Sequence, residues 1–269
     1  MTRKPQRLLI TGAAGMLGKQ LRRRLAGEYA LLRLSDVASM EPAGAGEETV
    51  VCDLADREGV GRLCEGIDAI VHLGGRATEA DWDTVHSANI LGAIHLYEGA
   101  RKAKVERVLF ASSNHAVGLV RRTPKTDHTA SARPDSRYGL SKAFGEDIAA
   151  LYAYKHGVRA YCMRIGSCFP EPTDERMLSS WLSYDDFERL VRTGLAADYT
   201  YEIVYGISRN TRAWWDNSNA YRLGYNPQDN AEAFAPRLTG VGVGNPLHDP
   251  FIGGGYVSPD FEADPWKIP

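Results

Sequence analysis

Apolar runs of strand length alternate with helical patterns over residues 7–167. The strand-like runs include RLLIT, ALLRLSD, AIVHLGG, RVLFASS and RAYCMRIGS, and amphipathic stretches such as LGKQLRRRL and YGLSKAFGEDIAALYAYK lie between several of them. Such alternation is typical of βαβ units, whose crossover helices make neighbouring strands parallel. The pattern therefore predicts an α/β fold with a Rossmann-type doubly wound parallel sheet.

The pattern changes after Ser167. A Pro-rich loop, the short helix SYDDFERLVRTGL, the strand YTYEIVYG and a loop-rich tail follow, and no repeat or low-complexity linker separates them from the first part. We expect residues 1–167 to form a dinucleotide-binding Rossmann domain and residues 168–269 to form a small substrate-binding part that shares the same core. The segment EPAGAGEE at 41–48 is typical of a surface loop between strands.

A glycine-rich turn joins the first predicted strand to the first helix. It has the pattern G-x-x-G-x-x-G, formed by Gly12, Gly15 and Gly18. The helix that follows carries a leucine at every fourth position of one face: Leu17, Leu21 and Leu25. Glycines let the backbone turn tightly and let a pyrophosphate approach, and a helix amino terminus offers free N–H groups to an anion. The turn therefore predicts a dinucleotide site.

The end of the second strand favours NAD over NADP. Asp36 follows the glycine turn at the ~20-residue distance at which a carboxylate can accept both hydroxyls of an adenosine ribose. The same carboxylate repels a 2′-phosphate, and DVASM contains no arginine to attract one. Arg33 alternates to the opposite face of the strand, where we expect a solvated surface charge.

Composition narrows the classes of partner. The formal net charge is -2, and 25% of the residues are charged, so no polyanion such as nucleic acid is expected. The basic start MTRKPQR runs directly into a strand, and no apolar run approaches the ~20 residues of a membrane span. The four cysteines lack metal-ligand spacing, which predicts reduced, mostly buried thiols, no metal site and a cytoplasmic protein: Cys52, Cys64, Cys162 and Cys168.

A tyrosine and a lysine begin the helix that follows the fifth strand. In YGLSK, Tyr138 and Lys142 are four residues apart, so their side chains share one helix face. The charge of Lys142, added to that of an oxidised nicotinamide, would lower the pKa of the phenol from ~10 toward neutrality, and Tyr138 could act as a general base. The same spacing taken alone is common among exposed surface pairs.

The glycine turn, the Ser-Ser pair in FASSNH and the YGLSK segment together resemble the short-chain dehydrogenase/reductase superfamily, in particular its extended branch. The resemblance covers nearly the whole chain through Ser167. It implies that Ser113, rather than Ser112, hydrogen-bonds the reacting oxygen. It also implies that Lys142 binds the nicotinamide ribose and that Asn89, a polar residue on the core-facing stripe of the preceding long helix, braces this lysine.

Seven segments resemble a narrower family, the bacterial NAD-dependent uronate dehydrogenases: LLITGAAGMLGK, CDLAD, FASSNHAVG, YGLSK, RIGSCFPEP, RMLSSWLSYDDF and WWDN. The resemblance implies oxidation of the C1 hemiacetal hydroxyl of D-galacturonate or D-glucuronate to the aldarolactone, with hydride transfer to NAD. Tyr138 is then the general base, assisted by Ser113 and Lys142. The side chains implied to bind the sugar acid are Ser113, Asn114, His115, Tyr138, Ser167 and Arg176, the last of which grips the carboxylate.

The implied cofactor contacts lie between residues 12 and 142. They are Gly12, Gly15, Met16, Leu17, Gly18, Asp36, Asp53, Leu54, Leu73, Gly74, Gly75, Asn89, Tyr138 and Lys142. Asp53 and Leu54 close the third predicted strand, where an adenine would lie, although Asp53 is also a candidate helix cap.

One segment departs from the family pattern. After HLGG the family usually places a small hydroxyl residue two positions on, whereas GGRATE has Arg76 and Ala77 there, with Thr78 on the opposite side. A substrate hydrogen bond is missing or replaced, and Arg76 either adds a second carboxylate contact or faces solvent. The preference between galacturonate and glucuronate stays open.

Two other functions fit part of the sequence. A nucleotide-sugar epimerase or dehydratase shares the serine, tyrosine, lysine and NAD loop, but generally has a larger carboxy-terminal lobe than the roughly one hundred residues after Ser167. A non-catalytic NAD-sensing protein typically lacks the tyrosine or the lysine. Members of the extended branch often associate through two long helices, here 82–103 and 138–156, so we expect a homo-oligomer.

Overall fold

The computed structural model describes residues 5–268, so the first four residues of the basic start lie outside the described residues. The strands are β1 Arg7–Thr11, β2 Leu31–Asp36, β3 Glu47–Val51, β4 Ala69–His72, β5 Arg107–Ser113, β6 Arg159–Ile165, β7 Ser167–Cys168, β8 Trp181–Leu182 and β9 Tyr201–Gly206. The α-helices are α1 Met16–Leu25, α2 Arg57–Cys64, α3 Trp82–Val85, α4 Gly92–Ala103, α5 Arg137–His156, α6 Met177–Ser180, α7 Tyr184–Ala196, α8 Ser218–Arg222 and α9 Ala235–Leu238.

Seven of these strands form one sheet in the order β3-β2-β1-β4-β5-β6-β9, and β7 pairs with β8 separately. The ladders that join β3, β2, β1, β4 and β5 are all parallel. The order reverses beside β1, and doubly wound sheets bind ligands at the carboxyl ends of the strands next to this reversal. The predicted fold class is confirmed.

The burial pattern of β1 and α1 explains why these residues form a central strand and a helix packed on the sheet. Leu8, Leu9 and Ile10 are fully buried, as expected for a parallel strand that is covered on both faces. In α1 the buried positions are Gly18, Leu21 and Leu25, whereas Leu17 is only partly buried. Four residues turn the helix by about 40° more than one full turn. Leu17 therefore points away from the direction of Leu21 and Leu25 and is less buried than they are.

Three details differ from the sequence prediction. β3 begins at Glu47, so the predicted loop at 41–48 is two residues too long. The predicted helix at 82–103 contains a π-helical segment, His86–Leu91, between α3 and α4. Arg33 is not a solvated charge: it donates to the carbonyls of Leu63 and Glu65 at the end of α2, at 2.7 and 2.9 Å. The helix end leaves carbonyls without intrahelical partners, and the guanidinium satisfies them.

The chain divides into two compact units. One contains the chain up to Ala111 together with Phe144–Cys162 and Val191–Glu202, and the other contains Ser112–Ala143, Met163–Leu190 and the chain from Ile203 onward. The glycine turn belongs to the first unit, and the predicted substrate side chains belong to the second. The predicted boundary between residues 167 and 168 stays a prediction.

A cluster of apolar side chains forms a core in the second unit. Its buried members are Val117, Tyr205, Ile207, Trp215 and Ile252, and Trp214 packs against it. The tail residue Ile252 is fully buried there. The tail segment around it is therefore held in place by the same core that supports the end of β9.

The four cysteines are free thiols; Cys52 is partly exposed and the other three are buried, as predicted. Among residues 5–268, none of the helices combines the length and apolar composition that crossing a membrane requires. Within the same range, no three His, Cys, Asp or Glu side chains come close enough together to hold a metal ion.

Candidate active site

The glycine turn is built from close backbone contacts. Gly12 has φ +70°, and a Cβ on it would lie 2.7 Å from the nitrogen of Gly74. A Cβ on Gly18 would lie 2.3 Å from the carbonyl oxygen of Gly12. Helix α1, capped by Gly15, has neither a side-chain cap nor an acidic residue in its first turn. Its first amides, which include those of Met16 and Leu17, are therefore left for an anion, as a dinucleotide pyrophosphate requires.

Asp36 lies at the end of β2 and holds the glycine turn. One carboxylate oxygen accepts from the amide of Ala14 at 2.9 Å, and the other accepts from the amide of Ala38 at 3.0 Å. Each carboxylate oxygen has further lone pairs. The group can therefore accept ribose hydroxyls without losing these backbone contacts.

Asp53 and Leu54 lie beyond β3, which ends at Val51, so they do not close the strand as predicted. Asp53 accepts from the amide of Ala55 at 2.9 Å, and the cap of helix α2 is Asp56 instead. The alternative interpretation of Asp53 as the helix cap is therefore wrong. In this turn the Asp53 carboxylate accepts from the amide two residues further along the chain, and this hydrogen bond also fixes the direction of the side chain.

Leu73, Gly74 and Gly75 follow β4 directly. The amide of Gly74 donates to the hydroxyl of Thr11 at 3.2 Å, and a Cβ on Gly74 would meet the Leu54 side chain at 2.9 Å. This packing leaves no space for a side chain at Gly74. The segment is tied to the carboxyl end of β1 and to the turn after β3.

Asn89 lies in the π-helical segment and is 7% exposed, as its position on the core-facing stripe predicts. Its side chain accepts from the amide of Arg76 at 2.7 Å and donates to the carbonyl of the same residue at 3.1 Å. Asn89 thus clamps the backbone just after Gly75, while the Arg76 side chain is exposed. The predicted support of Lys142 by Asn89 stays a prediction.

Ser113, Tyr138 and Lys142 are buried in the second unit, at 5%, 8% and 7% exposure. Ser113 ends β5 and hydrogen-bonds the Tyr138 side chain, while its oxygen accepts from the amide of His115 at 3.2 Å. Lys142 Nζ lies 5.5 Å from the centre of the Tyr138 ring, one turn along α5. The structure therefore brings the three predicted catalytic side chains together.

Burial dominates the acid–base properties of this group. It raises the pKa of Tyr138 to about 12, although the hydrogen bond with Ser113 opposes the rise. Burial also lowers the pKa of Lys142 to about 8, because a desolvated site disfavours the charged form of both groups. Without a cofactor the tyrosine pKa thus stays above its ordinary value, and the predicted fall toward neutrality, which includes the charge of an oxidised nicotinamide, stays a prediction.

His115 is held by a carboxylate that the sequence analysis missed. Its Nδ1 lies 2.7 Å from Asp135 Oδ2, and the Asp135 side chain is completely buried. A Cβ on Gly118 or on Gly253 would come within 2 Å of this carboxylate. The two glycines thus leave a slot of the size of one carboxylate, which fixes the imidazole.

The tail completes the surroundings of His115. Tyr256 stacks on the imidazole with 4.0 Å between ring centres, and Tyr138 lies edge-on at 5.8 Å. Nε2 of His115 has no hydrogen-bond partner within residues 5–268. Because Nδ1 is occupied by Asp135, Nε2 is the atom that a sugar hydroxyl can meet.

Arg176 is the cation of the site. One terminal nitrogen donates to the hydroxyls of Ser167 and Ser180, at 3.3 and 3.4 Å, and the other donates to the carbonyl of Ile252 at 2.6 Å. With its amide oriented to satisfy both groups, Asn114 accepts from Arg176 at 3.0 Å. Burial lowers the pKa of the guanidinium. The structure therefore brings Asn114, Ser167 and Arg176 together, and their predicted contact with a sugar acid stays a prediction.

No acid among the described residues bonds Arg176 directly, although the charges of Asp174 and Asp135 act on it from a greater distance. It forms no ion pair with any carboxylate in residues 5–268, and its Nε is buried without a hydrogen-bond partner. A buried charge without a counter-ion is costly. An incoming carboxylate, which can accept two parallel hydrogen bonds from a guanidinium, would supply the missing charge.

Comparison with known proteins identifies the family of this chain. The model of the NAD dependent epimerase/dehydratase family matches residues 8–184. A uronate dehydrogenase from Pseudomonas putida is 51% identical over 237 residues, covering 87% of this chain and 88% of the relative. The solved structure of a mutant uronate dehydrogenase from Agrobacterium tumefaciens, complexed with NAD, has a TM-score of 0.90 at 44% identity, covering 96% of this chain and 99% of that chain.

A second relative extends the match to the tail. The uronate dehydrogenase from Agrobacterium fabrum is 45% identical over 259 residues, which cover 94% of this chain and 97% of the relative. The match therefore includes most of the residues after Ser167 as well as the first part of the chain. On these grounds the chain belongs to the uronate dehydrogenases, within the NAD dependent epimerase/dehydratase family.

Proposed function

We propose that this protein oxidises the C1 hemiacetal hydroxyl of D-galacturonate or D-glucuronate to the corresponding aldarolactone. The observation that carries the proposal is the guanidinium of Arg176, which is held by hydroxyls and a carbonyl and has no acid partner in the described chain. The carboxylate of a uronate would complete this site, whereas a neutral sugar would leave the guanidinium without a bonded carboxylate. The relatives that match most of the chain support the same substrate class.

Tyr138 is the proposed general base. Oxidation removes a proton from the C1 hydroxyl and a hydride from C1, and the phenolate of Tyr138 takes the proton. Ser113 hydrogen-bonds Tyr138 in the protein, and in this proposal it also holds the reacting oxygen. Lys142, one turn away on α5, stabilises the phenolate through its charge.

NAD supplies the acceptor for the hydride when it is bound. The glycine turn fits the pyrophosphate of NAD, because it is packed too tightly for side chains and its backbone can come close to the phosphates. The carboxylate of Asp36 fits the ribose hydroxyls. Asp53, Leu54 and the segment after β4 are the further proposed contacts. We also propose that Lys142 and Tyr138 contact the nicotinamide ribose.

The remaining side chains orient the sugar acid. Arg176 grips the carboxylate, with Asn114 and Ser167 bonded to its guanidinium. His115 offers Nε2 to a ring hydroxyl. Such orientation matters because hydride transfer needs the reacting atoms about 3–3.5 Å apart.

The test is the appearance of NADH absorbance when NAD is mixed with galacturonate or glucuronate, with galactose and glucose as neutral controls. Reduction with the uronates alone is the expected result. An epimerase would instead retain tightly bound cofactor through gel filtration and reduce no added NAD. An NAD-sensing protein would bind NAD without turnover, so either result contradicts the proposal.

We further propose that the enzyme acts in the cytoplasm as a homo-oligomer. Four free cysteines support a reducing compartment. Helix α5 exposes Leu151 and Tyr154, and α3 exposes Trp82, and a contact between copies through these helices would bury these side chains. Light scattering on the purified protein tests the oligomeric state, and a monomer at enzymatic concentrations contradicts it.

A further inference from the structure

Two guanidinium groups share one indole ring in the second unit. The guanidinium carbon of Arg122 lies 4.3 Å from the centre of the Trp214 ring, and that of Arg176 lies 5.5 Å from the same centre. The two cations are therefore no more than about 10 Å apart, which is close to the screening length in physiological salt. The second cation thus lies within electrostatic reach of the first.

Neither cation has an acidic partner. Arg122 donates to the carbonyls of Phe251 and His248, at 3.0 and 3.3 Å, and Arg176 donates to that of Ile252. Neither forms an ion pair with a carboxylate in the described part of the chain. Carbonyl dipoles and the face of an aromatic ring compensate a positive charge only in part, and Asp174, Asp249 and Asp135 act on the two cations only from beyond ion-pair distance.

The two charges also act on each other. Burial lowers the pKa of Arg122 to about 10, and the positive charge of Arg176 is the second cause, while Asp249 and Asp174 oppose the fall. Arg122 still carries its charge at neutral pH. Like charges repel each other, so the two guanidinium groups stay this close only because Trp214 and the carbonyls of the tail hold them in place.

We propose that Arg122 is a specificity-determining residue, which strengthens binding of the uronate carboxylate by adding a second positive charge beside Arg176 without touching the substrate. The inference rests on the proposed function. A second unit charge within about 10 Å of the one that binds a carboxylate, in a partly desolvated site, changes affinity about three- to tenfold. We expect the effect on binding, because Arg122 has no part in the proposed proton or hydride transfer.

The neighbouring arginine offers a matched control. Arg121 likewise lies over aromatic rings, 5.0 Å from the centre of Phe251 and 5.7 Å from that of Trp266, and donates to the carbonyls of Ile268 and Pro265. Arg121→Met therefore removes the same charge and similar packing from the next position in the chain. It does so without removing a contact to Trp214.

The experiment compares KM and kcat for galacturonate in the wild type, Arg122→Met, Arg122→Lys and Arg121→Met. We expect Arg122→Met to raise KM about three- to tenfold with kcat within about twofold, and Arg122→Lys to recover most of the affinity, because it keeps the charge. Arg121→Met should leave KM unchanged. Added salt should narrow the difference between wild type and Arg122→Met, since screening weakens the charge.

Three results would overturn the inference while leaving the proposed function intact. One is an unchanged KM in Arg122→Met. Another is an equal rise in Arg121→Met. The third is an Arg122→Lys variant as weak as Arg122→Met, which would assign the effect to packing against Trp214. If the wild type itself does not reduce NAD with galacturonate, the proposed function fails first, and this inference fails with it.

Thermal unfolding of all four proteins accompanies the kinetics. If Arg122→Met is unstable, two measurements still test the electrostatic contribution: the KM of Arg122→Lys and the salt dependence of the wild-type KM. A wild-type KM that does not rise with salt contradicts an electrostatic contribution.

Discussion

The glycine turn and the Arg176 site are both suited to a negatively charged group, but they are built in opposite ways. The turn comes from one short stretch, Gly12–Gly18, and offers backbone amides at the start of α1. The Arg176 site joins side chains and a carbonyl from separate segments, with Asn114, Ser167 and Ile252 around one guanidinium. Recognition by backbone is encoded locally, whereas recognition by side chains depends on how distant segments meet.

The largest expected effect comes from a substitution that stops the reaction and leaves the cofactor site intact. Tyr138→Phe should lower kcat about 10³-fold, because the general base is lost while the ring remains. The dissociation constant for NAD, measured by calorimetry, should change little. A variant with near wild-type kcat would remove Tyr138 from the mechanism.

Removing the cation should weaken the substrate and spare NAD. Arg176→Met leaves a carboxylate without its charged hydrogen bonds, which are worth about 1.5–3 kcal/mol, so KM for galacturonate should rise about 10- to 100-fold. Steady-state kinetics measures this, with the KM for NAD as the internal control. An equal loss for both substrates would indicate a folding defect instead.

The same small addition should have different effects in the two regions. In Gly18→Ala the Cβ would meet the Gly12 carbonyl at 2.3 Å, and backbone cannot move aside, so we expect a loss of about 2 kcal/mol of stability and weaker NAD binding. In Gly254→Ala the residue would keep a left-handed φ of +57° and its Cβ would meet Arg176 Nε at 2.7 Å, so we expect some loss of stability together with a displaced guanidinium. That variant should raise the KM for uronate at unchanged NAD affinity. Thermal unfolding and NAD titration of both variants test the contrast, which an identical pattern would contradict.

The buried carboxylate beside His115 should act through the imidazole. Asp135→Asn fits the same slot but can donate to Nδ1, which would move the imidazole proton to Nε2 and turn an acceptor into a donor. We expect kcat/KM for uronates to fall about tenfold, the equivalent of roughly 1.4 kcal/mol. Nitrogen NMR of His115 reports the tautomer directly. An unchanged tautomer with a similar kinetic loss would reduce Asp135 to a packing role.

The smallest expected effect lies outside both sites. Glu98 on α4 pairs with Arg101 at 2.7 Å and accepts from Tyr152 of α5 at 2.9 Å, and the hydrogen bond with Arg101 is the main cause that lowers its pKa to about 2. A lowered folded-state pKa contributes stability that is present above the unfolded pKa, about 4.3, and is lost as the pH falls toward 2. Glu98→Gln should therefore cost at most about 1 kcal/mol at pH 7, since solvent screens the pair.

Denaturant unfolding at pH 7 and pH 3 tests this prediction, and the difference between variant and wild type should shrink at the lower pH. Catalysis should stay the same. A change in KM for either substrate would show that the helix pair affects one of the two anion sites.

The features that could be predicted from the sequence are those that depend on residues close together in the chain. The glycine turn, the shared face of Tyr138 and Lys142, and the buried stripe with Asn89 all follow from spacing along the chain. The resemblance to a known family added the substrate side chains, and the structure places Asn114, Ser167 and Arg176 in contact. The roles of these residues in binding and catalysis stay predictions.

The parts that sequence reasoning missed are contacts between distant segments. Asp135 could have been suspected, because it lies three residues before Tyr138 at the start of α5, but the two glycines that shape its slot lie far apart in the chain. Tyr256 gives no local signal at all. Arg122 and Trp214 belong to segments whose meeting no periodicity predicts.

The sequence by itself thus determined the fold class, the dinucleotide turn and the residue types of the catalytic group, because short-range spacing decides which side chains share a face and where backbone can turn. Only the tertiary structure decided which charges stay unpaired, which carboxylate holds His115 and which carbonyls hold Arg176. Those properties depend on burial and on the distances between separate segments, and these distances arise only when the core has packed.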